Sequence, residues 1–213
     1  MGERLPEYLE PGEIKKVLSV PDKRSKLGFR DYLILRLLAE SGIRRGELSA
    51  MRIGNLQSHN GGYSLFFPSL KKRKVRGKEA LKEKKINREV PLRNDLYTDL
   101  QRYLKQEYNG RQTNQDLPLF RTSGKHGAYE KTAISSKAIY DLVKKYIKRA
   151  EIEKRITPHS FRHSAATNWL TEGSDLATVK ELLGHEHITS TEVYLNTTFE
   201  KMRGAVESVN YTA

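Results

Sequence analysis

Cysteine is absent from the 213 residues, which excludes disulfides, thiol catalysis and cysteine-based zinc sites, although it fits any compartment. Any chemistry must use oxygen and nitrogen side chains. Also missing is an apolar run of about 18 residues, and the first residues lack the charged-then-apolar order of a signal peptide, so nothing points to a membrane span. Acidic residues are in deficit: 26 Asp and Glu stand against 39 Lys and Arg, a net charge of +13 at pH 7. Such an excess attracts polyanions over long range, nucleic acid before an anionic membrane. What is present is enough apolar material, 37% of the chain, to bury a core in one domain or two small ones. No internal repeat or low-complexity linker divides it.

The charge is not spread evenly. "KKRKVRGKEALKEKKINR", residues 71–88, holds ten Lys or Arg and two Glu, a net +8. Read from charge alone, it is either a solvated loop or a nucleic-acid contact. On either side the residue pattern suits strands, "YSLFF" before and "REVPL" after, which makes a small antiparallel sheet carrying a charged finger. Elsewhere helical periods dominate. "PGEIKKVLSV" reads as an amphipathic helix, and "FRDYLILRLLAESG" as a buried one ending at Gly42. A short helix is expected over 45–51. "DLYTDLQRYLKQEY" and "SSKAIYDLVKKYIKRA" place Leu96, Leu100, Tyr103 and Leu104, then Ile139, Leu142, Val143 and Tyr146, at helical spacing. The remainder reads as helical. The fold class is mainly α with a small antiparallel β-sheet.

Candidate functional residues cluster in three stretches. "ITPHSFRHSAATNWL" carries a helix start, with Thr157 as cap and Pro158 at the first helical position. Phe161, Ala165 and Trp169 fall on one face for the core, while His159 and Arg162 share a neighbouring face in a first turn whose free N–H groups attract anions. In "AESGIRRGELSAM", Arg44 sits on a tight turn with Glu47 three positions on, either held by that glutamate or aimed at an anion. In "DLATVKELLGHEHITSTEVYL", Gly184 is a natural helix C-cap, with His185 just outside the helix and Tyr194 nine residues later.

Taken together, "SGIRRGEL" (41–48), "REVPL" (88–92), "HSFRH" (159–163) and "LLGHEHITSTEVY" (182–194) resemble the catalytic domain of the tyrosine recombinase (phage integrase) family, in its order and approximate spacing, over residues 5–200. The resemblance implies a single catalytic domain over 1–213, beginning at "LPEYLEPGEIKKVL" without the family's N-terminal DNA-gripping domain, and an amphipathic tail helix over 195–213 that docks on a neighbouring protomer or packs in cis. It also implies duplex DNA as partner, a homotetramer on that DNA, no membrane partner, a cytoplasmic and nucleoid-associated location, and strand exchange through a 3′-phosphotyrosine and a Holliday junction.

Residue by residue, the resemblance makes Arg44 and Arg162 the phosphate-binding arginines, His159 and His185 the active-site histidines, Tyr194 the nucleophile and Glu47 the support of the first arginine. The chemistry suits these types. A phenol attacking a phosphodiester keeps bond energy for rejoining, and two guanidiniums can neutralise the growing negative charge without a metal or cofactor. With a reference pKa of about 10, only roughly 0.1% of a tyrosine is ionised at neutral pH, so a base must take the proton. His159 is the implied base, and His185 would bond the phosphate.

The family's general acid is a lysine on a β-hairpin, usually short. Here seven lysines lie between 71 and 88. Lys71 is favoured, directly after the strand, with Lys72, Lys84 and Lys85 as substitutes. Lys72, Arg73, Lys74, Arg76, Lys84 and Lys85 are expected to contact backbone phosphate. Three rivals remain: a non-catalytic basic DNA-binding module, a type IB topoisomerase, and a metallohydrolase using His159, His163, His185 and Glu186. The last lacks the HExxH order of a zinc protease helix.

Overall fold

The computed structural model describes residues 7–59, 62–67, 88–109, 114–123 and 129–184. Its elements run α1 (Pro11–Ser19), α2 (Lys26–Ser41), α3 (Arg45–Ala50), β1 (Leu56–His59), β2 (Gly62–Phe67), β3 (Arg88–Leu92), α4 (Asn94–Glu107), β4 (Arg121–Ser123), β5 (Tyr129–Ala133), α5 (Ser136–Arg149), α6 (Pro158–Thr171) and α7 (Leu176–Leu183).

The middle of the fold is α2. Ser25 caps it by accepting from the Gly28 N–H at 3.0 Å, and Leu33, Ile34, Leu35, Leu37 and Leu38 are all fully buried. Each such side chain contributes about 1.5–3 kcal/mol on leaving water. The helix packs on α1, α4, α5, α6 and β3. So complete an enclosure also buries Arg30, Asp31 and Arg36, and each is answered by ion pairs or hydrogen bonds. Asp31 accepts from Arg30 at 2.8 Å, Tyr146 at 3.0 Å and Lys145 at 3.2 Å. Arg36 spreads over Glu40, Asp95 and Asp99, tying α2 to α4.

The sheet has three strands, antiparallel in the order β1-β2-β3, with Leu65 opposite Val90 and Phe67 opposite Arg88. Two strands are expected here from sequence, and β1 is the addition. A second correction concerns the stretch read as helical beyond α4, where β4 and β5 pair as a separate two-stranded sheet. Along β3, burial alternates strictly: Arg88, Val90 and Leu92 face in, Glu89 and Pro91 out. As the last strand in the order, β3 tolerates Pro91.

Two apolar clusters result. The larger joins α1 to α5, the sheet and Phe161. The smaller consists of Ala166, Leu170, Val179 and Leu183, with Trp169 and Leu176 against it, and belongs to α6 and α7 alone.

Candidate active site

The first arginine is set by a helix end and a helix start three residues apart. Gly42 ends α2 in the left-handed conformation (φ 58°), and a Cβ there would lie 2.9 Å from Leu183 Cδ2, so glycine is required for both reasons. Three residues into α3, the Glu47 carboxylate turns back. Its Oε2 accepts from the Arg44 backbone N–H at 2.8 Å and its Oε1 from Arg44 Nη1 at 3.0 Å. One carboxylate thus fixes both the main chain and the guanidinium of Arg44. The guanidinium still presents itself outward: the side chain is 49% exposed, and Nη2 lies 3.4 Å from the Gly184 carbonyl oxygen. Of the two sequence readings for Arg44, held by its glutamate or aimed at an anion, the geometry shows the first, with the guanidinium left half exposed.

The second arginine comes from α6, where Thr157 accepts from the Ser160 N–H and Pro158 occupies the first turn. Phe161 and Ala165 go to the core as their spacing predicts, Trp169 is half-buried, and His159 stands exposed in the first turn. Arg162 is buried, donating from Nη1 to the Gly42 carbonyl at 2.7 Å and from Nη2 to the Leu183 carbonyl at 2.5 Å. His163, one turn beyond His159, is buried with its ring edge-on to Tyr8 at 5.7 Å. That packing takes one of the histidines the metallohydrolase reading needs. No group of three metal-ligating side chains occurs among the described residues.

What joins the two arginines is the C-terminus of α7. Asp175 caps the other end of this helix by accepting from the Thr178 N–H at 2.9 Å. Gly184 closes it in the left-handed conformation (φ 63°). The last carbonyls of a helix have no intrahelical donors and carry the negative end of its dipole, so cations belong there. The Leu183 and Gly184 carbonyls receive guanidiniums from Arg44 and Arg162, and Leu183 receives a third from Arg88.

Arg88 is the residue to which the sequence analysis gave no role, although it opens the strand "REVPL" and closes the basic stretch. Its Nη2 donates to Glu47 Oε2 at 3.0 Å, and its guanidinium lies 4.2 Å from the centre of the Phe67 ring. The signal was the strand itself: alternation in "REVPL" puts Arg88 on the inward face with Val90 and Leu92.

Arg44 and Arg88 share the Glu47 carboxylate while Arg162 bonds backbone carbonyls, so positive charge is in excess here, as suits an anion. Its effect reaches His159. Burial, then the charges of Arg162 and Arg44, hold that imidazole below its ordinary value, although part of the residue stays open to solvent. It is neutral at pH 7 and able to accept a proton. Arg88 is pushed down chiefly by its burial, with Arg44 adding and Glu47 opposing; a guanidinium remains charged throughout.

Arg44, Glu47, His159 and Arg162 are thus brought together. Lys71, Lys72, Arg73, Lys74, Arg76, Lys84 and Lys85, together with His185, Tyr194 and the 195–213 tail, lie outside the described residues.

The tyrosine recombinase XerC of Pelotomaculum thermopropionicum is 31% identical over 203 residues, covering 95% of this chain and 61% of that protein. XerA of Pyrococcus horikoshii is 34% identical over the same shares. The chain thus spans about three fifths of the length of these curated relatives. Among solved structures, the Tn1549 transposon integrase in complex with transposon right end DNA superposes with a TM-score of 0.69 at 22% identity, over 98% of this chain and 68% of that one, and so shares its fold. The phage integrase family matches residues 7–201, nearly the whole sequence, and the chain belongs to that family.

Proposed function

We propose that this chain is the catalytic domain of a site-specific DNA recombinase that breaks and rejoins strands through a 3′-phosphotyrosine. The observation that carries this reading is the placement of Arg44 and Arg162 on the carbonyls at the end of α7, with a neutral His159 beside them. Two fixed forks with a base nearby suit a phosphodiester whose charge grows during attack. In the proposed reaction the Tyr194 oxygen attacks phosphorus and its proton passes to His159. The bond from phosphorus to the 5′-oxygen breaks, and Lys71 protonates that oxygen. Arg44 and Arg162 hold the non-bridging oxygens with His185, while Glu47 fixes Arg44. Reversal with a different 5′-hydroxyl rejoins strands, and two such exchanges pass through a Holliday junction.

Duplex DNA is the proposed partner, contacted along its backbone by Lys72, Arg73, Lys74, Arg76, Lys84 and Lys85, and the working assembly is a homotetramer on DNA. Membership of the family supports this reading, as does the presence of DNA in the Tn1549 integrase complex. No helix among the described residues is long and apolar enough to cross a membrane. A cytoplasmic, nucleoid-associated location belongs to the same proposal, as do the single domain over 1–213 and the docking of its tail on a neighbour.

The test is incubation with nicked duplexes bearing candidate sites, followed by denaturing electrophoresis. A covalent adduct should form, persist in chelator and vanish in Tyr194→Phe. With a 5′-bridging sulfur the leaving group needs no proton, so Lys71→Ala should be slow on ordinary DNA and largely restored on that substrate. Abolition by chelator with rescue by zinc would instead favour a metallohydrolase. Binding without an adduct would favour a DNA-binding module, and relaxation of supercoils without strand exchange a topoisomerase.

A further inference from the structure

Arg88 stands behind the two arginines just described, buried, and does not present itself to solvent as Arg44 does. Its contacts fall on a closed circuit. Arg44 bonds Glu47; Glu47 bonds Arg88; Arg88 bonds the Leu183 carbonyl; that carbonyl also holds Arg162; and Arg162 bonds the Gly42 carbonyl, two residues before Arg44. Each of the other connections involves a group already assigned a part in holding phosphate. Arg44 also reaches the α7 end, from its half-exposed side chain and at 3.4 Å from the Gly184 carbonyl oxygen; Arg88 is the buried group that joins Glu47 to the Leu183 carbonyl shared with Arg162.

We infer that Arg88 is a positioning residue, setting the guanidiniums of Arg44 and Arg162 in one register through Glu47 and the Leu183 carbonyl; its effect on catalysis rests on the strand-cleavage reading above.

Three features support this assignment. A guanidinium presents its N–H groups as a rigid planar fork, so two acceptors bonded to its two ends are held at a fixed separation. The face of the fork lies over Phe67, which keeps its plane from rotating. Its Nε–H finds no acceptor among the described residues, so the group sits where Glu47 and Leu183 require rather than where all its donors would be satisfied. A buried charge beside two like charges is a costly way to pack a strand against a helix, and an aliphatic side chain would cover Phe67 without that cost. The fork supplies a fixed distance between two acceptors, which the aliphatic chain cannot.

Two substitutions and two readouts test the inference. Arg88→Lys keeps the charge but offers a compact ammonium that cannot span both acceptors, and Arg88→Met keeps the packing on Phe67 without any donor. In both, duplex affinity should stay within about twofold of the parent while the single-turnover cleavage rate at saturating DNA falls by about tenfold or more, a loss in the chemical step rather than in binding. The second readout is independent of activity. The isotope-labelled guanidinium signals of Arg44 and Arg162, assigned through Arg44→Lys and Arg162→Lys, should both shift and exchange their protons faster with water in Arg88→Lys. Signals that stay put in a folded Arg88→Lys protein would overturn the inference whatever the cleavage rate. So would cleavage that merely tracks the folded fraction and returns to the parental rate on cooling. If the parental chain cuts no DNA but the signals move, the cleavage reading fails and the positioning role stands.

Discussion

Replacing Gly184 with alanine strains the site from behind, without touching any residue that would face DNA. The conformation at Gly184 is left-handed (φ 63°, ψ 51°), which costs an L-residue about 1–2 kcal/mol. The new methyl would lie 2.9 Å from Arg88 Cδ and 3.2 Å from its Nη1. Arg88 has little freedom to yield, being held by Phe67, Glu47 and the Leu183 carbonyl, so its charge-assisted bond to Glu47 is weakened or broken. Such bonds contribute about 1.5–3 kcal/mol when little exposed. The sum is about 2–5 kcal/mol, and for a chain of this size each kcal/mol moves the melting temperature by about 2–4 °C. Thermal melting of Gly184→Ala should therefore fall by about 4–20 °C. Gly173→Ala is the comparison: φ is 104° there, yet nothing lies within 4 Å of the added carbon, so it carries backbone strain alone. With both variants held well below their melting temperatures, adduct formation should drop about tenfold or more for Gly184→Ala and stay parental for Gly173→Ala. A Gly184→Ala protein that melts within about 2 °C of the parent and cleaves normally would refute the packing argument.

Other expectations follow from single residues. Gly46, in α3, has ordinary dihedrals and open space around it, so Gly46→Ala should stabilise the chain by about 0.4–1 kcal/mol; a lower melting temperature counts against this. Because burial and two arginines keep His159 neutral, the acid limb of kcat/KM for adduct formation should have its midpoint below about pH 6.5, and a midpoint at or above it would remove His159 as the base. His163 is likewise held below its ordinary value, by burial and then by His159. The stability it contributes is complete above about pH 6.5 and is lost as pH falls through its folded-state value. Melting between pH 7 and pH 5 should accordingly decline less steeply in His163→Gln, and an unchanged slope would contradict the assignment. Neutralising Lys74, Arg76, Lys78 and Lys82 should flatten the salt dependence of duplex binding by about 0.9 in log–log slope for every phosphate that the variant ceases to neutralise; an unaltered slope makes that stretch a solvated loop.

Much of the scaffold was legible because local signals coincide there. Thr157 caps α6 as its sequence indicates, and Gly42 and Gly184 stop α2 and α7 in the conformation that glycine adopts most cheaply. What was not legible depends on partners distant in sequence. The sequence of α2 does not itself name the partners that let its charges be buried: Asp95 and Asp99 come from α4, Lys145 and Tyr146 from α5. Strand β1 spans only Leu56–His59 and β4 only Arg121–Ser123, too short for alternation to register. Arg88 was given no role because it ends a run of lysines and arginines as well as opening "REVPL", and the inward face of β3 is what sets it apart from that run. The same limit applies to Glu47, whose bond to Arg44 follows from spacing, whereas its bond to Arg88 crosses 41 positions.

The division of the apolar core has a consequence for motion. Since α7 buries Val179 and Leu183 in a small cluster shared with α6, its attachment to the larger core rests on half-buried Leu182 and on arginines gripping two carbonyls at its end. A segment so attached can detach as a unit at less free energy than global unfolding requires. Amide protons of α7 should therefore exchange with solvent sooner than those of α2, and an oxyanion bound between Arg44 and Arg162 should slow that exchange by rigidifying the guanidiniums on which α7 hangs. Order in this helix and occupancy of the anion site become two faces of one equilibrium, with the stretch that begins at His185 joined directly to its moving end.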